Sequence, residues 1–375
     1  MPGDTSIAET VPQNTSKVYD GTLEPEEIWW RDHQLWLQER GYQLRPRFSP
    51  GWIPSWKGTD KKWWECEDGL SPSIFRVLDA VRTSDGAMVS LKQISQSDHP
   101  YETEISMYLS SSQRGSDPRN HCVPVYEVLD VPDDPDMKLL VMPLLRPYDD
   151  PPLETVGEAV EFFRQIFEGL QFIHENHVAH RDCMNLNIMV DPKPLYPDMY
   201  HPHATDLKRD WSGFARHYTR TKEPTKYIFI DFGISRKYGA EEKSPREYPI
   251  WGGDKTVPEF HRSNDPCNPF PTDIYYLGNL IREDFLQSPR GVEFMEPLVS
   301  DMVQDDPSKR PTIDEVISRF AELRKSLSRR KLRSRLVDPE ETKLLRFYRN
   351  TRHIFRTAYY IMARHSAVPT PKPVS

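Results

Sequence analysis

The run His180-Arg181-Asp182-Cys183-Met184-Asn185-Leu186-Asn187, followed 44 positions after Asn187 by Asp231-Phe232-Gly233, constrains this chain more than any other stretch. An Asp and an Asn five residues apart on a short loop, then an Asp-Phe-Gly, describe a place for phosphoryl transfer. Asp182 would accept the proton of a hydroxyl nucleophile, and Asn187 and Asp231 would hold magnesium on the phosphates of a nucleotide.

Upstream, residues 73–94 read as a hairpin. Phe75, Val77 and Val81 alternate, Asp85-Gly86 supplies the turn, and Met88 to Ile94 forms the return strand. Lys92 ends the run Val89-Ser90-Leu91-Lys92, and the period of two puts Ser90 and Lys92 on one face. Glu104 follows in a helix opened by Asp98 and Pro100. Leu139 to Leu145 reads as a buried strand leading into a linker. Val156 to His174 is strongly helical, with Val160, Phe163, Ile166, Phe167, Leu170 and Ile173 on one face, a stripe that core packing explains.

In this order, Lys92, Glu104, the His180–Asn187 run and Asp231-Phe232-Gly233 resemble the eukaryotic protein kinase superfamily. The resemblance covers about two-thirds of the chain. It implies an α+β, bilobal protein-kinase fold over residues 69–327, with a small, mainly β N-lobe and a large, mainly α C-lobe. It implies ATP and Mg2+ as cofactors and a protein hydroxyl as acceptor. Val89-Ser90-Leu91-Lys92 is similar to the family's Val-Ala-Ile-Lys strand, so Lys92 would reach the α/β-phosphates and pair with Glu104. The adenine site would draw on Val77, Ser90 and Met189, on Met142 as gatekeeper, and on the backbone of Pro143 and Leu145. Asp182 would take the proton, and Asn187 and Asp231 the metal. Glu259 and Arg310 resemble the family's buried ion pair, and Asp273 resembles the helix residue that anchors the catalytic loop. The flanking segments and a long insertion are similar to a fungal group of kinase-domain proteins, on Pro50-Gly51-Trp52 and the His180–Asn187 run.

Two departures bear on activity. The family's glycine-rich loop would occupy residues 70–75, where none of its three glycines is present; Gly69 is left as a single hinge, and Pro72 removes an amide donor. Met184 and Leu186 stand where Ser/Thr and Tyr kinases carry a cation, and Gly252 stands where a threonine would bridge. An ATP-dependent protein kinase, slow or regulated, is therefore set against a pseudokinase scaffold that works through partners. Met184→Lys, alone or with Gly252→Thr, is expected to raise turnover if the rest of the site is well placed.

The 375 residues allow one such domain plus flanks. Residues 1–22 are polar and expected to be disordered. Residues 23–68 form an aromatic, Pro-rich extension: a helical pattern from Pro25 to Arg40, then a strap pinned by Trp52, Trp56, Trp63 and Trp64. The insertion, about 192–224, reads as a surface segment, and its His201, His203 and His217 are too loosely spaced for a metal site. Residues 328–375 form a basic helical tail. From Arg324 to Arg364 there are 13 Lys/Arg against three acidic residues, a local +10 within a net −8. The rest of the chain is thus acidic, which argues against nucleic acid as a partner. Arginines 346, 349, 352 and 356 share one helix face, which leaves two readings open: peripheral attachment to an anionic membrane, or docking on the acidic body. Truncation after Leu327 is expected to leave a folded domain. Cys66, Cys122, Cys183 and Cys267 form no ligand or redox spacing and read as reduced thiols. No secretory signal or membrane span is visible, so a cytoplasmic location is expected.

Overall fold

The computed structural model describes residues 21–242, 244–287, 291–338 and 340–372, so the expectation for residues 1–22 lies almost wholly outside the described residues. The chain divides into two compact units, residues 1–87 and 88–375, and the boundary expected at residue 69 falls inside the first.

In the first unit the helical pattern resolves into two pieces, Pro25–Asp32 and Gln34–Glu39. His33 breaks them, its ring stacked 3.9 Å from that of Trp29. Gly41 ends the second at φ 88°, a left-handed conformation glycine adopts without a Cβ penalty. Arg47 and Glu27, both fully buried, form a two-pronged ion pair at 2.7 Å, and Arg47 also donates to the Asp68 carbonyl at 2.9 Å. Trp52 donates to the Asp68 carboxylate at 3.0 Å, a contact within the extension and not to the domain that follows, whereas Trp64 is exposed. The deepest anchor is Trp30, which is fully buried and donates its indole N–H to the Phe75 carbonyl at 2.8 Å. Gly69 is no hinge: it is buried, and a Cβ there would sit 1.9 Å from the Trp63 carbonyl oxygen. Its lack of a side chain serves packing within the extension.

In the second unit the strand Met137–Pro143 runs antiparallel to both Met88–Ser95 and Glu127–Asp130, with Lys92 opposite Leu140 and Ser90 opposite Met142. Val89, Leu91 and Ile94 are buried while Ser90 and Lys92 are half-buried, the alternation expected of the strand. The helix Glu102–Ser110 follows, and then a mainly helical body. Its centre is Val156–Glu175, opened by a reciprocal cap in which Glu158 N–H donates to Thr155 Oγ1 (3.1 Å) and Thr155 N–H to Glu158 Oε2 (3.3 Å). Phe162 and Phe167 pack ring to ring with Phe285 (5.6 Å) and Phe320 (5.3 Å). Helices Phe270–Ile281 and Ile313–Ser326 complete the body. This mixed α/β architecture is compatible with the expected bilobal fold.

Two expectations need correction. The insertion is largely built into the body: Leu195, Tyr196 and Tyr200 are buried, and the Arg146 guanidinium lies 4.7 and 4.5 Å from the Tyr196 and Tyr200 ring centroids. Arg220 donates to the Tyr148 carbonyl at 2.7 Å, and Thr221 gives its N–H (3.0 Å) and hydroxyl (2.6 Å) to Glu158. Its far end stands out, with Phe214 70% exposed and Arg216, His217 and Tyr218 exposed beside it. A stretch of prolines and aromatics looks like a loop in sequence, yet its rings supply core surface.

The tail is likewise integral. Val156 N–H donates to the Ser334 carbonyl and Leu336 N–H to that of Glu154, each at 3.0 Å, while Leu332 and Leu336 are buried. Gly157 makes room for it, since a Cβ there would lie 1.7 Å from the Ala367 carbonyl oxygen. Arg335 and Arg349 both bond Glu341 at 2.6 Å, and Arg352 (3.2 Å) and Arg356 (2.8 Å) bond Glu154. Of the arginine row, Arg352 and Arg356 dock on the body, while Arg349 pairs within the tail.

Truncation after Leu327 should therefore destabilise the second unit: Leu332 and Leu336 alone represent about 3–5 kcal/mol of apolar burial. Thermal denaturation checks this, and an unchanged midpoint would make the tail an ornament. The hydrogen bonds from Arg335, more than those from Arg349, push the Glu341 pKa down to about 2. A carboxylate depressed on folding stabilises fully above its unfolded value of about 4.3, and that contribution is lost as pH falls towards the folded value. Amide exchange in residues 343–362, relative to its intrinsic rate at each pH, should accelerate between about pH 4.3 and 2 in wild type. In Glu341→Gln it should already be fast at neutral pH.

Candidate active site

The site begins with Lys92, held on a strand whose neighbours Leu91 and Ile94 are buried. Its ammonium bonds Glu102 Oε1 at 2.5 Å and Asp231 Oδ1 at 2.9 Å. Burial alone would lower the lysine pKa, but the two carboxylates outweigh it and the net direction is up, so Lys92 stays charged. The partner is thus Glu102 and not Glu104. Glu102 shares the buried face of its helix with Ile105, Ser106 and Leu109, while Glu104 is exposed. The three-to-four spacing from Glu102 carries this information, and a fixed offset from Lys92 does not.

Asp231 sits at φ 64°, a left-handed value that is costly for a residue with a Cβ. It is held there from both sides: Gly233 N–H donates to its Oδ1 (3.2 Å), and the preceding carbonyl of Ile230 takes a bond from His180 Nε2 (3.1 Å). Burial pushes its carboxyl up, but Lys92 more than reverses this and holds it below the usual range. A Cβ on Gly233 would press on both Asp231 Oδ1 and His99 Nδ1 at 3.1 Å.

The loop carrying Asp182 is fixed by Asp273, whose carboxylate is fully buried. It accepts the backbone N–H groups of His180 (2.8 Å) and Arg181 (2.7 Å) and lies 3.0 Å from His174 Nε2. These bonds hold Arg181 at φ 70° and so aim Asp182. Asp182 Oδ2 takes a bond from Asn187 Nδ2 at 2.9 Å and Oδ1 one from Gly253 N–H at 2.8 Å. Burial raises its pKa despite the Gly253 bond and the nearby His180, and the Asp231 charge adds to the rise.

The segment 252–255 corrects a further expectation. A Cβ on Gly252 would stand 2.1 Å from Asp182 Oδ1, and one on Gly253 would stand 2.0 Å from Met184 Sδ. A threonine at 252 would thus have to displace the Asp182 side chain. Two bare backbone units pack on Asp182 and Met184 instead, and Lys255 turns back to bond the Gly252 carbonyl. Sequence reading missed Lys255, although a Gly-Gly followed by a lysine beside a loop without its cation is a signal that could have found it.

The other expected residues fall as follows. Ser90, Met142 and Leu145 are half-buried and Pro143 is buried; Met189 is half-buried between buried Ile188 and Val190. Tyr200 of the insertion donates to the Leu145 carbonyl at 3.4 Å. Val77 lies in the first unit, on the strand Val77–Arg82. Glu259 and Arg310 form a two-pronged pair at 2.8 and 2.6 Å. Cys183 is fully buried and burial pushes its thiol up, so it is an inert packing residue. His201 is buried, with Nδ1 accepting the N–H groups of His203 (3.2 Å) and Ala204 (3.1 Å), a turn and not a ligand set.

Among the described residues no group of three or more His, Cys, Asp or Glu is assembled as a metal site. The donor set nevertheless suits one hard cation. Asn187 commits its Nδ2 to Asp182 and Asp231 commits Oδ1 to Lys92, so each keeps one oxygen for another partner. Magnesium takes few protein oxygens and completes its shell with phosphate and water. Also among the described residues, no helix is long and apolar enough to cross a membrane.

No protein-family model matches the chain. It is similar to the Serine/threonine-protein kinase CAK1 of Saccharomyces cerevisiae (strain ATCC 204508 / S288c), 29% identical over 136 residues. That match covers 36% of this chain and 28% of the relative's length, and it supports a kinase-like relationship at that coarse level.

ATP and magnesium are expected to raise the thermal midpoint; Glu102→Gln should then remove most of that shift, whereas Glu104→Gln should leave it unchanged. Equal behaviour of the two variants would detach Glu102 from nucleotide binding.

Proposed function

We propose that the protein is an ATP- and Mg2+-dependent protein kinase that transfers the γ-phosphoryl group to a protein hydroxyl. The observation that carries this reading is the convergence of Lys92, Glu102 and Asp231 in one ion-paired cluster, with Asp182 and Asn187 bonded to each other on the adjoining loop. Bound magnesium would neutralise charge on the β- and γ-phosphates.

In this reading Lys92 orients the α/β-phosphates, and Glu102 keeps its ammonium in place. Asn187 and Asp231 offer their remaining oxygens to the metal. Asp182 takes the proton of the attacking hydroxyl as the new P–O bond forms and the bond to the leaving ADP breaks. Its raised pKa favours that role, because a base gains strength as its pKa climbs towards the working pH. Lys255 supplies the missing cation: tethered to the Gly252 carbonyl beside Asp182, its charge stands in for the one absent at Met184. A relative named as a serine/threonine kinase adds support to the class of reaction.

The competing scaffold reading draws on Met184 and Leu186, uncharged where the superfamily has a cation. Purified protein with ATP, magnesium and a peptide library, followed for ADP and phosphopeptide together, separates the two. Asp182→Asn should abolish transfer with ATP binding nearly intact. Lys255→Met should lower turnover about 10²–10³-fold, the size of losing one charge-stabilising donor. Gly252→Thr should lower turnover rather than raise it, since it displaces the Asp182 carboxylate. If wild type and Asp182→Asn show the same trace, Asp182 is a relic and the protein acts as a scaffold.

A further inference from the structure

The helix Lys343–Met362 is turned the opposite way from an ordinary surface helix. Its polar side faces the body: Arg349 and Arg356 bond Glu341 and Glu154, His353 lies 2.9 Å from the Arg333 carbonyl, and Tyr360 is buried with its hydroxyl on Thr219. Its apolar side faces out. Phe347, Ile354 and Ile361 form one exposed row and Tyr348, Phe355 and Met362 a second, all between 57% and 76% exposed. Between the rows run Thr351 and Ala358, seven residues apart, with the Thr351 hydroxyl already given to the Phe347 carbonyl at 2.9 Å.

We propose that this face is a contact with a second copy of the same chain, helix against helix. Three features select that occupant. The first is area: with Leu344 and Tyr359 added, eight large side chains offer roughly 800–1,000 Å², close to the ~800 Å² per partner of a standard interface and beyond what a monomer usually leaves open. The second is shape: the 3–4 spacing with small residues on the centre line makes a groove between two ridges, the form into which another helix seats its own ridge. That spacing reads alike in both directions, so the surface is self-complementary about a two-fold axis. The third is charge. The two rows and the line between them carry no ionisable group other than tyrosine, and Arg352, which borders them one heptad before Tyr359, is tied to Glu154, so two copies meet with little repulsion. A bilayer-bound helix leaves the basic residues beside its apolar face free for headgroups; here Arg349, Arg352 and Arg356 are each committed to a carboxylate, Glu341 or Glu154.

The test is sedimentation velocity on the full chain from about 1 to 100 μM, beside Phe347→Glu/Phe355→Glu, whose substituted positions are exposed. Wild type should shift to dimer with concentration, and the variant should associate at least about 30-fold more weakly, as on loss of one interface hot spot. Circular dichroism should show equal folding. Thr351→Cys should give a covalent dimer under mild oxidation, reversed by reductant. A wild type that stays monomeric overturns the proposal, as does a dimer that survives the double substitution. Monomeric wild type that co-sediments with phosphatidylcholine or phosphatidylserine vesicles, where the variant does not, assigns the face to lipid instead.

Discussion

Everything at the candidate site hangs on the Asp273 carboxylate. A buried charge is expensive unless it is hydrogen-bonded, and this one is satisfied by the N–H groups of His180 and Arg181 with His174 alongside. Those bonds stabilise the left-handed turn at Arg181, which no local preference of arginine would choose. With the turn fixed, His180 reaches the Ile230 carbonyl and Asp182 reaches Gly253 and Asn187. One helix residue therefore sets the positions of two carboxylates, Asp182 and Asp231, that lie 49 positions apart in the chain.

The Gly252-Gly253 pair puts bare backbone where the resemblance to the kinase superfamily would place a threonine. A threonine hydroxyl reaches an aspartate from a distance, whereas a bare backbone touches it. Here the Gly253 N–H makes the bond, and Gly252 can lie against the carboxylate only because it has no Cβ. The same close approach seats Met184 on Gly253. A threonine placed at 252 without other changes would then put its Cβ where the Asp182 carboxylate already is.

What the sequence disclosed and withheld follows from range. Strand alternation at Val89–Lys92, the Asp85-Gly86 turn and the stripe of Val156–Glu175 are local signals, and each is met in the structure. Asp182, Asn187 and Asp231 stand out in the sequence because their spacing and chemistry are unusual together, and in the structure Asn187 bonds Asp182 while Asp231 bonds Lys92. Glu104 was misread because an offset from Lys92 was used where helix phase decides which side chain turns inward. The insertion was misread for another reason: Tyr196 and Tyr200 find their partner, Arg146, about fifty residues away, and no local pattern announces such a pairing.

The arginine row of the tail illustrates the limit most plainly. A row of like charges in a sequence has no direction, and it reads as readiness for any anion. Direction comes from the N-terminus of Val156–Glu175, where positive backbone dipole favours carboxylates and Glu154 and Glu158 gather. Glu158 caps the helix and takes Thr221 of the insertion; Glu154 takes Arg352 and Arg356 of the tail. Gly157, between them, lets the chain near Ala367 lie on the helix backbone. That single helix end draws the arginines inward. Once the polar side of an amphipathic helix is spent on the body, its apolar side has nowhere to face but out.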